Sequence, residues 1–123
     1  MAKGRLRAKI SEWANTATMD ASEIRAAYVT KDVASVADAP DRQPVRLRGT
    51  LRTITLRPRG GVPALEAELF DGSGTVMIIW LGRRRIAGIN PGRSLQVQGR
   101  IGRNDGQRIM FNPRYELIPD PNE

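Results

Sequence analysis

The chain has 123 residues, with 20 Lys+Arg against 13 Asp+Glu, a formal net charge of +7, and neither Cys nor His. That length holds one ordinary domain. Without Cys or His, disulfides, thiolate metal sites, thiol nucleophiles, histidine-based triads and the commonest zinc ligand sets are excluded. The residues imply no cofactor and no metal site, so binding without catalysis is the expectation.

Arginine supplies 17 of the 20 cations. Its planar fork pairs bidentately with phosphate and stacks on bases, so an anionic partner, nucleic acid first, is expected. The competing explanation is compositional bias toward Arg over Lys. The charge is also localised. Residues 1–41 balance to zero, residues 42–114 carry 14 Arg against four acids, and residues 115–123 carry Glu116, Asp120 and Glu123. A folded basic surface fits this pattern better than a basic tail. The longest apolar run, Val76 to Leu81, is too short to span a membrane. No apolar stretch follows the basic start in the manner of a signal peptide, so a cytoplasmic location is expected.

In chain order, Leu6, Ile10, Trp13, Ala14 and Ala17 fall at helical spacing. Asp20 and Glu23 have the form of a capping pair, and Ile24, Ala27 and Tyr28 share a face. One or two short helices are predicted, too narrow and Ala-rich to stand alone. They would dock on the body or on a second copy. Pro40 and Pro44 bracket a linker, which gives a helical extension and linker over 1–41, a domain over 42–118 and an acidic tail over 119–123.

The domain reads as five strands. Val45, Leu47 and Leu51 are apolar at odd positions, Ile54 and Leu56 at even ones, so a bulge is predicted near Gly49 to Thr53. Arg57 to Pro63 is a loop. The turn Asp71-Gly-Ser-Gly74 pairs Phe70 with Thr75, Leu69 with Val76 and Ala67 with Ile78, which sets apolar against apolar on the inner side. Glu66, Glu68, Phe70, Thr75, Met77 and Ile79 then face outward, and the third strand, apolar on both faces, is central or covered. Gly82 to Gly92 is a loop or short helix. Leu95 to Ile101 is a fourth strand, Asn104-Asp-Gly106 a hairpin turn, and Arg108 to Ile118 a fifth strand bent at Pro113. Five strands interrupted between the third and fourth match a mainly β, five-stranded OB-fold barrel. An SH3-type barrel is the competing reading.

Four stretches carry a family likeness: Leu69-Phe-Asp-Gly-Ser-Gly-Thr-Val76, Ile79-Trp-Leu81, Pro91-Gly-Arg-Ser-Leu-Gln-Val-Gln-Gly99 and Phe111-Asn-Pro-Arg-Tyr-Glu-Leu117. Together they resemble the anticodon-binding type of OB domain, with order and spacing similar to the wedge domain of the RecG helicase. With Trp80-Leu-Gly-Arg-Arg-Arg85, the chain also resembles small actinobacterial OB-fold nucleic-acid-binding proteins. The likeness covers roughly residues 44–118 and implies binding; no phosphate-loop motif of a motor is present.

OB folds bind single strands on the face of strands two and three and with the flanking loops. The candidate contacts are therefore Arg46, Arg48 and Arg52 on the first strand and Arg57 and Arg59 in the first loop. Phe70 and Met77 on the outer face, the run Arg83-Arg84-Arg85, and Arg100, Arg103 and Arg108 around the fourth hairpin complete the set. Glu66 and Glu68 lie on the same face, where pairing with Arg46 or Arg48 would neutralise them. Trp80 points inward to the core, Tyr115 closes the barrel, and Asn112-Pro113 is structural. With few aromatics, contacts would be mainly arginine to phosphate, salt-dependent and weakly sequence-selective. Single-stranded DNA or RNA is the expected partner. The alternative is a protein-contact or oligomerisation module using the outer face and the N-terminal helices. An enzyme built on Glu66, Glu68 and Asp71 matches no motif.

Overall fold

The computed structural model describes residues 33–119 and the isolated positions Ala21 and Ile24, both helical in backbone. The predicted helical stripes otherwise fall outside the described residues, as does the acidic end from residue 120. Seven strands form one sheet: β1 (Pro44–Leu56), β2 (Ala64–Phe70), β3 (Thr75–Leu81), β4 (Ser94–Arg100), β5 (Gly102–Asn104), β6 (Gln107–Phe111) and β7 (Arg114–Leu117). Their order is β5-β6-β3-β2-β1-β4-β7. All pairings are antiparallel except β3 with β6.

Seven strands replace the expected five because the fourth and fifth are each cut once. β4 and β5 are separated by Ile101, whose carbonyl accepts from the Arg42 amide instead of a ladder partner (2.8 Å). β6 and β7 are separated by Asn112 and Pro113, and proline has no N–H to give the ladder. The pieces remain one long hairpin. β5 pairs β6 with Gly102 opposite Ile109, and β4 pairs β7 with Gln98 opposite Arg114, offset by one residue. Its tip is the two-residue turn Asp105-Gly106, both with positive φ, the geometry an Asp-Gly hairpin turn takes. β4 also pairs β1 and β6 also pairs β3, so the two halves of this hairpin stand at opposite ends of the strand order.

The β1 bulge lies where the change of parity puts it, with the β1–β2 register shifting between Leu51 and Ile54. Gly49 just before it is sterically required: a Cβ there would stand 2.6 Å from the Phe70 carbonyl oxygen. The β2–β3 register is the predicted one, from Phe70↔Thr75 to Ala67↔Ile78.

Inward residues Leu47, Leu51, Leu69, Ile78, Leu95, Val97 and Met110 form the core. Two loop segments complete it. From the 82–92 segment, which is a loop without a helix, Ile86 and Ile89 are buried. Each buried isoleucine contributes about 2 kcal/mol. From the segment before β1, Val36 and Ala39 enter the same cluster. Residues 33–42 are thus a strap across the sheet end, and packing is continuous across residue 42.

Asp71 fastens the strap. It is fully buried, and its Oδ1 accepts from the Ser73 amide (2.8 Å), the Ser73 hydroxyl (2.6 Å) and the Gly74 amide (3.3 Å). Its Oδ2 accepts from the Val36 amide of the strap (2.9 Å). A buried carboxylate is tolerable when its lone pairs are met in this way.

Candidate nucleic-acid interface

The outer face of the sheet follows from the register. Thr75, Met77 and Ile79 of β3 stand opposite Phe70, Glu68 and Glu66 of β2, and Ile109 and Phe111 of β6 flank Met77 and Ile79. The middle of this face is closed within the chain: Ala64, Ile79 and Ile109 are buried, with Met77 packed against them. The third strand is therefore both central and covered.

Two aromatic rings mark this face, each beside an arginine. The Arg52 guanidinium lies over the Phe70 ring, 3.5 Å from its centroid. Arg59 stands 5.9 Å from the centroid of Phe111, at the outer reach of a cation–π contact. Phe111 is 47% exposed, enough to offer ring surface to a ligand. Sequence reasoning placed Phe111 only within a family-like stretch; its parity opposite Ile79 is the signal that adds it to the site. Asn112 holds it there. This residue adopts positive φ, donates its amide to the Ile79 carbonyl (2.8 Å) and accepts the Leu81 amide on Oδ1 (2.9 Å). Asparagine tolerates that conformation better than most residues.

The charge pattern departs from the expected one. Glu66 does not pair with Arg46 or Arg48. It accepts from Arg59 Nε at 2.9 Å and lies 3.7 Å from Arg57 Nε. The physical reason is the first loop, which doubles back through an Arg59↔Val62 bridge and lays Arg59 over β2. Arg48 instead donates to Gln96 on β4 (2.8 Å). Arg46 is exposed and has no side-chain partner among the described residues.

The arginines around the fourth hairpin serve the strap. Arg108 donates Nη1 to the Val36 carbonyl (2.6 Å) and Nη2 to the Ala39 carbonyl, and lies 3.4 Å from Asp41 Oδ1. Arg103 pairs with Asp41 Oδ2 at 2.7 Å, and Arg100 donates to the Arg42 carbonyl (3.0 Å). The Asp41 carboxyl is held below its usual range chiefly by the Arg103 hydrogen bond, with the nearby Arg103 and Arg108 charges adding to it.

Arg83, Arg84 and Arg85 differ from these. All three are exposed, with no side-chain partner among the described residues. The chain before them is fixed by the Gly82 amide donating to the Pro63 carbonyl (2.7 Å), and the chain after them by buried Ile86. That bond sets the triplet beside the first loop, at the Phe111 end of the sheet. Trp80 is buried, as its parity requires, and meets the Tyr115 ring edge-on at 5.7 Å. Tyr115 remains 40% exposed, so it covers Trp80 from outside instead of entering the core. Among the described residues there is no cluster of metal-ligating side chains and no helix long and apolar enough to cross a membrane.

With this geometry in hand, three solved structures are informative. A RecG bound to a three-way DNA junction is similar with a TM-score of 0.59 and 20% identity, over 76% of this chain and 13% of that one. The OB domain of Ta0387 from Thermoplasma acidophilum gives 0.57 and 13%, over 72% of this chain and 88% of that one. A chain of a replication protein A heterotrimer bound to single-stranded DNA gives 0.50 and 15%, over 64% of this chain and 60% of that one. At these identities the likeness shows the fold, which is of the OB type. No family model matches the chain, and the search of curated proteins found no match.

Proposed function

We propose that this chain is a non-catalytic nucleic-acid-binding module that prefers single strands and reads sequence weakly. The observation that carries the reading is one end of the sheet. There, an exposed aromatic, Phe111, stands beside Arg59, and the adjoining loop holds three exposed arginines without a side-chain partner among the described residues. Aromatic rings beside a basic groove are what single-strand binders use: bases stack and guanidiniums meet phosphates. At Phe70 the ring already carries Arg52, so a base there would stack on the guanidinium's free face. OB-type neighbours seen with single-stranded DNA and a DNA junction support this reading, as does the resemblance to actinobacterial OB proteins and the anticodon-binding type. In this reading the module is a barrel in which β4–β5 and β6–β7 each count as one long strand, acting in the cytoplasm.

The second reading, a protein-contact module, has one observation in its favour. Val62 and Leu81 are exposed at the same end as Phe111. One titration separates the two: labelled single-stranded and duplex DNA and RNA, followed by anisotropy at two salt concentrations. The nucleic-acid reading expects saturable single-strand binding with a log–log salt slope of about −2 to −4, or three to six phosphates at ~0.7 each. No binding at low salt overturns it and leaves the apolar end as a protein surface.

A further inference from the structure

The two outer carboxylates of β2 have opposite circumstances. Glu66 is buried and neutralised by Arg59 and Arg57. Glu68, two residues on, is half-buried and has neither an ion pair nor a hydrogen bond among the described residues. It lines a groove of about 260 Å³ between β3 and the β5–β6 turn. Met77, directly across from it in the ladder, forms an apolar side, and Gln107, Arg103 and Arg108 supply the other. An ionised carboxylate is acceptor-only. Arg103 and Arg108 are committed to Asp41 and the strap carbonyls, so the groove sets the acceptor Glu68 opposite the amide of Gln107, beside a polarisable thioether that packs well on an aromatic ring.

A bare phosphate finds both arginines already held by acceptors of the chain and is repelled by Glu68. A ligand with a planar body and a donor edge satisfies the walls that stay open. We infer that this groove seats a nucleobase with an exocyclic amino group, whose N–H donates to Glu68, in preference to thymine or uracil, which present a carbonyl there. Carboxylate side chains accept from the cytosine amino group in the same way when bases are read in duplex DNA. Arg103 keeps its Asp41 partner, so recognition in the groove falls to Glu68, Met77 and Gln107. This rests on the nucleic-acid reading above and sharpens it: the module becomes selective at one position, through a residue that hinders phosphate binding.

The test compares dC12 with dT12 at pH 8, where cytosine is unprotonated, on the full chain, by fluorescence anisotropy at a single salt concentration. The two differ at C4, amino against carbonyl, and also at N3 and in the thymine methyl, so the Glu68 variants assign the difference to the carboxylate. Wild type is expected to bind dC12 about tenfold tighter, the low end of what one good base contact gives. In Glu68→Ala the preference disappears in a particular way. Binding of dC12 weakens, whereas dT12 binds as well or better, because a repelling charge has gone. Glu68→Gln retains an acceptor and should keep part of the preference. Equal wild-type binding of the two oligonucleotides, or a Glu68→Ala change that shifts both alike, overturns the selectivity while leaving the interface reading intact. Failure of both oligonucleotides to bind takes down the interface reading itself, and the selectivity with it.

Discussion

The two ends of the sheet use the same residue for opposite purposes. At the strap end, Arg100, Arg103 and Arg108 are engaged by backbone carbonyls and Asp41. At the other end, Arg83 to Arg85 are exposed, held in place by the backbone and by a buried isoleucine, with no side-chain partner among the described residues. Arginine density alone does not mark a binding surface. What distinguishes the ends is whether the chain supplies acceptors of its own. The strap brings three carbonyls and a carboxylate to one end; the 82–85 loop brings none among the described residues. The first group should therefore govern stability and the second affinity.

The sharpest test of the strap end is Asp71→Ala. It leaves the Val36 amide and the Ser73–Gly74 turn without their buried acceptor. Hydrogen bonds to charged groups are worth about 1.5–3 kcal/mol each, with partial replacement by water, so a loss of about 3–4 kcal/mol is expected in urea denaturation. Arg108→Ala follows at about 2–3 kcal/mol, since the Val36 and Ala39 carbonyls and Asp41 lose one common partner. A stability unchanged by Arg108→Ala would break the comparison from this side.

From the other side, replacing Arg83, Arg84 and Arg85 together by Ala should leave the unfolding midpoint nearly unchanged, because exposed side chains without partners contribute little. The same variant should flatten the single-strand salt slope by about 2, at ~0.7 per lost phosphate contact. If the slope stays put, the triplet is a solvated surface. Phe111→Ala should weaken single-strand binding by about 1–2 kcal/mol with little effect on folding, the loss of one stacking platform. The smallest effect concerns pH. The folded-state pKa of Asp41 is depressed, so its stabilising contribution is present above the ordinary carboxylate value of 3.8 and lost as pH falls through the lower folded value. Asp41→Asn should flatten only this acid limb of the stability curve and leave stability between pH 5 and about 8 independent of pH.

Local rules made much of the fold legible. Alternation of apolar residues gave the strands, and the change of parity along β1 could only be a bulge. Asp71-Gly-Ser-Gly74 and Asp105-Gly106 announced their turns, and facing apolar positions then set the β2–β3 register. Each of these depends on a few neighbouring residues, and steric limits on the backbone and the period-2 side-chain pattern act at that range. The candidate site was half legible. Phe70 and Met77 lie outward, as alternation requires, and the charge surplus of residues 42–114 stated that a basic surface exists.

Which arginines form that surface was decided by the tertiary structure. Arg108 and Arg83 look alike in sequence; one is clamped by carbonyls some 70 residues away, and the other meets no acceptor among the described residues. Glu66 found Arg59 in place of Arg46 because a loop folded over its strand, and the supposed linker became core through Val36 and Ala39. Composition and spacing determine what a residue is able to do. Ion pairing and burial fall off within a few ångströms, so what it does depends on neighbours that only the folded chain brings into range.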